Sequence, residues 1–74
     1  MTEYLESQLN PARLRKRVGL TQRQVAQALN VRESTVSEWE RGLSAPRLRL
    51  VRQILNVYQC SLDELIEAFE SGRD

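Results

Sequence analysis

The sequence contains no histidine and a single cysteine, Cys60. Zinc sites in small domains are built from cysteine and histidine, and serine or cysteine nucleophiles usually depend on a histidine base. One cysteine cannot form an internal disulfide bond. Small zinc domains, disulfide-stabilised domains and histidine-dependent hydrolases are therefore excluded. Cys60 lies among apolar neighbours and is predicted to be a small core residue.

Other marks of membrane proteins and enzymes are also missing. No apolar run approaches the roughly 18 residues that a membrane span needs, and the N-terminus lacks the basic and apolar regions of a signal peptide. The adjacent carboxylates of Asp63 and Glu64 point about 100° apart on a helix, which favours an acidic first turn over acid-base chemistry. We expect a cytoplasmic protein that is not an enzyme and has no cofactor, metal or membrane partner.

Basic residues are concentrated in the middle of the chain, although the net charge is only +1. Residues 13–52 contain ten basic and three acidic side chains, which gives this stretch a charge of +7. The flanks at 1–12 and 53–74 carry −2 and −4. A basic centre between acidic ends suits a protein that meets a polyanion with one face. Ordinary solvated arginines would give the same pattern, so charge alone leaves both interpretations open.

The 74 residues suffice for one domain, and the first part of it reads as helix. Asn10-Pro11 is a helix start, because asparagine caps well and proline is tolerated at the first helical position. The first helix is predicted over residues 11–18, with Gly19 closing it in a left-handed conformation. Residues 1–10 are predicted to be an N-terminal arm or a short extra helix.

A helix pair follows. Thr21 and Gln24 form a capping box that starts a second helix ending near Leu29. A third helix is predicted from about Arg32 to Gly42, which leaves only a short connection between the second and third helices.

Two further helices complete an all-α, five-helix domain over residues 11–70, with a C-terminal tail at 71–74. Ser61 and Glu64 form a second capping box at the start of the fifth helix. The stripe of the fourth helix is expected to face the core and consists of Leu48, Val51, Ile54, Leu55 and Tyr58. The apolar face of the fifth helix consists of Leu62, Leu65, Ile66 and Phe69.

The third helix has two different sides. At about 100° per residue, its polar side chains fall within an arc of about 140°. They are Glu33, Ser34, Ser37, Glu38 and Arg41. Short polar groups along one arc suit a helix lying in the major groove of DNA, but they equally suit a plain solvated face. The capped helix before it, the short turn and the basic surroundings favour the groove.

Two residues of the third helix turn inward. Trp39 lies on the side of Val36, which favours a core role over stacking on bases. Glu40 also lies on the inward side, where an unpaired carboxylate would be costly. Arg15 on the first helix is the preferred cation, with Lys16 and Arg17 as alternatives.

Together these residues resemble the repressor and Cro-type (XRE, lambda-repressor-like) helix-turn-helix family. The resemblance covers about residues 11 to 69. It is carried by Gly19-Leu20-Thr21-Gln22, Val25-Ala26, Val31, Ser34-Thr35-Val36-Ser37, Trp39-Glu40-Arg41-Gly42, Pro46 and Ser61-Leu62-Asp63-Glu64-Leu65. It implies a transcriptional regulator that binds double-stranded DNA, and it supports the Arg15–Glu40 pair.

The resemblance also implies site residues. Base edges would be read by Glu33, Ser34, Ser37 and Glu38. Phosphates would be held by Gln22, Arg32, Arg41, Ser44 and Arg47. Three features depart from the family pattern. Arg32 stands where a serine or threonine cap is common, Glu33 and Glu38 bring two carboxylates to the expected DNA face, and Gln59 replaces the usual glycine after the fourth helix.

Partners beyond DNA are also predicted. A homodimer would span two half-sites roughly 34 Å apart, with Leu5, Ile66 and Phe69 as candidate contacts because apolar residues near the chain ends escape a small core. The alternative function is an antitoxin-like or adaptor module of the same fold, in which Glu33, Glu38 or the acidic ends meet a basic protein partner.

Overall fold

Residues 9–71, which a computed structural model describes, form five α-helices. The helices are α1 (Pro11–Arg17), α2 (Gln22–Leu29), α3 (Glu33–Glu40), α4 (Val51–Tyr58) and α5 (Leu62–Ser71), with a 3-10 turn at Leu48–Leu50 before α4. The all-α, five-helix prediction is confirmed. The division into an arm at 1–10 and a tail at 71–74 stays a prediction, because residues 1–8, with Leu5, and 72–74 lie outside the described residues.

Three helices begin with the side-chain caps that the sequence indicates. The Asn10 Oδ1 atom accepts a hydrogen bond from a backbone N–H of α1 at 2.9 Å. At α2, Thr21 and Gln24 exchange hydrogen bonds of 3.1 and 2.9 Å, and at α5, Ser61 and Glu64 exchange two of 3.1 Å. Each bond satisfies a donor that lacks an intrahelical acceptor.

The first four helices end in the same kind of turn. Gly19, Asn30, Gly42 and Gln59 follow α1 to α4 with φ values of 75°, 59°, 77° and 53°. In each case the next residue donates to the carbonyl five positions back, at 2.9 to 3.3 Å, which is the Schellman motif. These turns fix the exit direction of each helix, so the connection between α2 and α3 needs only residues 30–32.

All five helices contribute to one core. Its fully or nearly buried members are Leu14, Val25, Ala26, Leu29, Val36, Trp39, Ile54, Tyr58, Leu65 and Ala68. Trp39 is 3% exposed, so the prediction that it is a core residue is confirmed. Cys60 is partly buried and packs against this core, and burial raises the pKa of its thiol.

The predicted stripe of the fourth helix was wrong at Leu48, which is 88% exposed. Leu48 lies in the 3-10 turn, whose tighter winding does not continue the face that α4 presents from Val51 onward. In α5, Leu62 and Ile66 are 49% and 46% exposed. Of the predicted apolar face, Leu65 enters the core and Phe69 packs against it, and Ala68 is a further core residue of α5.

None of the helices within residues 9–71 combines the length and the apolar character that crossing a bilayer requires.

Candidate nucleic-acid interface

Helix α3 buries one side and exposes the other. Val36 and Trp39 are 0% and 3% exposed and anchor the helix on the core. The four side chains predicted to read bases lie on the opposite side, where Glu33 and Ser34 are exposed and Ser37 and Glu38 are half-exposed. Residues 9–71 therefore leave this face open.

The start of α3 is also accessible. Arg32 occupies the N-cap position in an extended conformation and makes no side-chain capping bond, so its exposed guanidinium is not committed to the helix end. Glu33 follows in the first turn, where a carboxylate interacts favourably with the helix dipole. Arg32 thus lacks the capping bond that a serine or threonine would make, and it places an exposed positive charge next to the polar face of α3.

Helices α2 and α3 pack closely on each other. Val25, Ala26 and Leu29 form the buried side of α2, and the small Ala26 permits close approach. The N–H of Val31 donates to the Ala26 carbonyl at 2.9 Å and holds the turn. This arrangement places the polar face of α3 and the N-terminus of α2 in a fixed relation.

Arg15 is the cation that pairs with Glu40. Its Nε and Nη2 atoms donate to the two carboxylate oxygens at 2.6 and 3.0 Å, and Nη1 donates to the Leu20 carbonyl at 3.0 Å. The side chains of Arg15 and Glu40 are only 13% and 8% exposed. Such a bidentate, nearly buried pair ties α1 to the end of α3.

The environment of the Arg15–Glu40 pair shifts the pKa values of Glu40 and Tyr58. Burial raises the pKa of Glu40, but hydrogen bonds from Arg15 and Gln22 outweigh that effect and hold it below the ordinary value. Burial and the nearby Glu40 charge raise the pKa of Tyr58 to about 12. The Tyr58 hydroxyl is buried and has no hydrogen-bond partner within the described residues.

Gln22 belongs to the same network. Its Nε2 atom donates to Glu40 Oε1 at 2.9 Å, and the side chain is half-buried at the first position of α2. The bond uses one of the two amide N–H groups. The residue predicted to hold a phosphate is therefore anchored to the last residue of α3.

Three of the four remaining predicted phosphate contacts lie together on one side of α3. Arg32, Ser44 and Arg47 line a shared open concavity, together with Thr35 and Arg49. Arg41, immediately after α3, is exposed and does not line it. The concavity is thus lined by three arginines beside the first half of α3, which can interact with a polyanion: Arg32, Arg47 and Arg49.

Sequence reasoning missed two features of this surface. It assigned no site role to Arg49, although the 3-10 turn brings this residue into the same concavity as Arg47. It also missed the Gln22–Glu40 bond. A signal for the bond existed, since Gln22 begins α2 and Glu40 is an inward carboxylate with more oxygen lone pairs than one arginine fills.

A second concavity lies between α5 and the segment after α3. It is lined by Pro11, Trp39, Gly42, Leu43, Ser44, Ala45, Ile66, Phe69 and Glu70. Leu43 is 66% exposed and Ile66 is 46% exposed, so two large apolar side chains face solvent at its rim. No group of acidic and cysteine side chains within residues 9–71 is arranged to hold a metal ion.

A capped helix, a three-residue turn and a second helix with one buried and one open face define a helix-turn-helix protein. A family model described as helix-turn-helix matches residues 12–65. The chain therefore belongs to the XRE-type helix-turn-helix family, and this membership implies DNA binding. No curated protein and no solved structure matches the chain.

Proposed function

We propose that the protein is a sequence-specific transcriptional regulator that places α3 in the major groove of double-stranded DNA. The observation that carries the proposal is the open polar face of α3, opposite a side anchored by Val36 and Trp39. A major groove about 12 Å wide admits a helix whose outer side chains are short. Glu33, Ser34, Ser37 and Glu38 meet the base edges in this arrangement. We also propose a cytoplasmic location.

Phosphate contacts orient the domain and base contacts specify the site. The proposed phosphate contacts are Gln22, Arg32, Arg41, Ser44 and Arg47. Their support is positional: they border the α3 face from the start of α2, from both ends of α3 and from the loop that follows. All except the half-buried Gln22 are exposed.

Two carboxylates on the reading face set the expected base preference. Glu33 and Glu38 repel phosphates, but each can accept a hydrogen bond from the N4 amino group of cytosine. They therefore weaken binding to arbitrary sequences more than binding to a matching site. We propose that the preferred sites contain cytosine opposite these residues.

The proposed active form is a homodimer on two half-sites roughly 34 Å apart. Ile66 and Phe69 were predicted contacts, and both line the concavity beside α5. Leu43, 66% exposed at the same rim, extends this apolar surface, and it lies three residues beyond the end of α3. In a twofold dimer each copy presents this same apolar surface to the other.

A salt series tests DNA binding. Binding of a random-sequence duplex should weaken as salt rises, because counterions are released when arginines neutralise phosphates. Arg41→Ala should reduce the salt slope by about one for all sequences, and Glu38→Ala should change the preferred site. Arg52→Ala is the matched control, since this exposed arginine lies on α4 and is not one of the proposed contacts.

The same series separates the alternative function. A pure protein-interaction module would bind little duplex even at low salt. Sedimentation at high protein concentration, with Ile66→Glu as the variant, tests the homodimer. A wild-type protein that stays monomeric with and without DNA would refute it.

A further inference from the structure

The carboxylate of Glu40 receives three hydrogen bonds from two other parts of the chain. Arg15 donates two of them, at 2.6 and 3.0 Å, and Gln22 donates the third at 2.9 Å. Oε1 of Glu40 accepts from both residues. The acceptor that Gln22 meets is therefore itself held in place by a guanidinium.

This bond fixes which way round the Gln22 amide lies. An ionised carboxylate can only accept hydrogen bonds, so the amide must present its nitrogen to Glu40 rather than its carbonyl oxygen. One N–H is thereby used. The second N–H of Gln22 has no acceptor within residues 9–71, and the side chain is only half-buried.

An oriented amide N–H is a suitable donor to a phosphate oxygen. A freely rotating glutamine would present its carbonyl oxygen, which repels an anion, about as often as its N–H groups. Because Arg15 neutralises the charge of Glu40, the carboxylate can orient the amide with little repulsion of a nearby phosphate. Arg41, the next residue in the chain, is exposed. Glu40 is therefore hydrogen-bonded to one proposed phosphate contact, Gln22, and adjacent in sequence to another, Arg41.

We infer that Glu40 is a positioning residue for DNA binding, which sets the Gln22 amide to donate to a backbone phosphate. This inference rests on the proposed function, and it adds a role that a purely structural ion pair does not have. It requires Gln22 and Glu40 to act on DNA affinity as one unit. Substitutions of the two residues should then be strongly non-additive.

A double-mutant cycle measures this coupling. In the wild-type background, Gln22→Ala should weaken duplex binding about five-fold, the loss expected for one hydrogen bond. In a Glu40→Gln background, the same change should have less than about a two-fold effect, since an amide at position 40 both donates and accepts and no longer fixes the orientation of Gln22. Arg41→Ala should lose the same factor in both backgrounds, and the exposed Gln27→Ala on the same helix should change nothing.

A second measurement needs no substitution at Glu40, which matters if that variant folds poorly. In the wild type, the Gln22 amide proton that is bonded to Glu40 should exchange slowly with solvent before duplex is added, and the other amide proton should give an NMR signal that shifts when duplex is added. Equal losses from Gln22→Ala in both backgrounds, or amide signals that stay unchanged while duplex binds, would overturn the inference alone. A wild type that binds no duplex would overturn the proposed function with it.

Discussion

Arg17 and Glu64 form a bidentate ion pair between α1 and α5, with hydrogen bonds of 3.2 and 3.1 Å. Arg15, two residues earlier on the same helix, makes the other bidentate pair with Glu40. The side chains of the first pair are 43% and 38% exposed, whereas those of the second are 13% and 8% exposed. The same chemistry is thus present in two environments, which predicts unequal contributions to stability.

Loss of one partner of the nearly buried pair should be costly. Arg15→Ala leaves Glu40 without its cation, and removal of one partner from such a pair costs about 3 kcal/mol of unfolding free energy. Urea unfolding followed by circular dichroism measures this loss. In the double variant Arg15→Met with Glu40→Leu, most of the stability should return, because no unpaired charge remains.

The exposed pair provides the control. Arg17→Ala should leave the urea midpoint unchanged within error, since solvent-exposed ion pairs contribute little. Equal losses from Arg15→Ala and Arg17→Ala would contradict the distinction between the two pairs.

Acid should destabilise the protein through Glu40. Although burial raises the pKa of this carboxyl, the hydrogen bonds from Arg15 and Gln22 hold it below its ordinary 4.5. A group whose pKa is lower in the folded state adds stability that is present above the unfolded value and lost as pH falls through the folded value. The thermal midpoint should therefore fall as pH drops below about 4.5. The Arg15→Ala variant should show a shallower fall, and equal slopes would refute this assignment.

Alkaline pH should act through Tyr58. The pKa of this buried phenol is raised to about 12. The preference for the neutral phenol therefore contributes fully to the free energy of unfolding below the unfolded pKa of 10.0, and this contribution is lost as pH rises toward 12. Tyr58→Phe should remove this loss, which is on the order of 2 kcal/mol. At neutral pH the same variant should be as stable as the wild type, because the hydroxyl has no partner in residues 9–71.

The turn after α4 contains a backbone conformation that glycine adopts more readily. Gln59 has a φ of 53° and an exposed side chain. Gln59→Gly should therefore stabilise the protein by up to about 1 kcal/mol. Asn56→Gly, at an exposed position within α4, is the matched control and should be destabilising by several tenths of a kcal/mol. A loss of stability from Gln59→Gly in urea unfolding would contradict the prediction.

The local signals in the sequence predicted most of the fold. Asn10, Thr21 and Ser61 act within three residues of chain, and their capping bonds form as expected. The Arg15–Glu40 contact joins residues 25 positions apart. It could still be predicted, because Glu40 falls on the buried side of an amphipathic helix and needs a cation.

Features that depend on a change of helix type or on side-chain competition were not predicted. Leu48 was placed in the core because its spacing continues the α4 stripe, but the 3-10 turn breaks that phase. Arg17 was an alternative partner for Glu40, yet it lies about 200° around α1 from Arg15 and meets Glu64 instead. Periodicity alone carries no information about such choices.

The central claim is that the open face of α3 reads duplex DNA. Selection of binding sites from a pool of random duplexes tests it most directly, with wild type and Glu38→Ala compared after circular dichroism has verified that both are folded. We predict enrichment of paired half-sites about one helical turn apart, with cytosines whose enrichment disappears in Glu38→Ala. A folded wild type that enriches no sequence over the starting pool at low salt would contradict the claim.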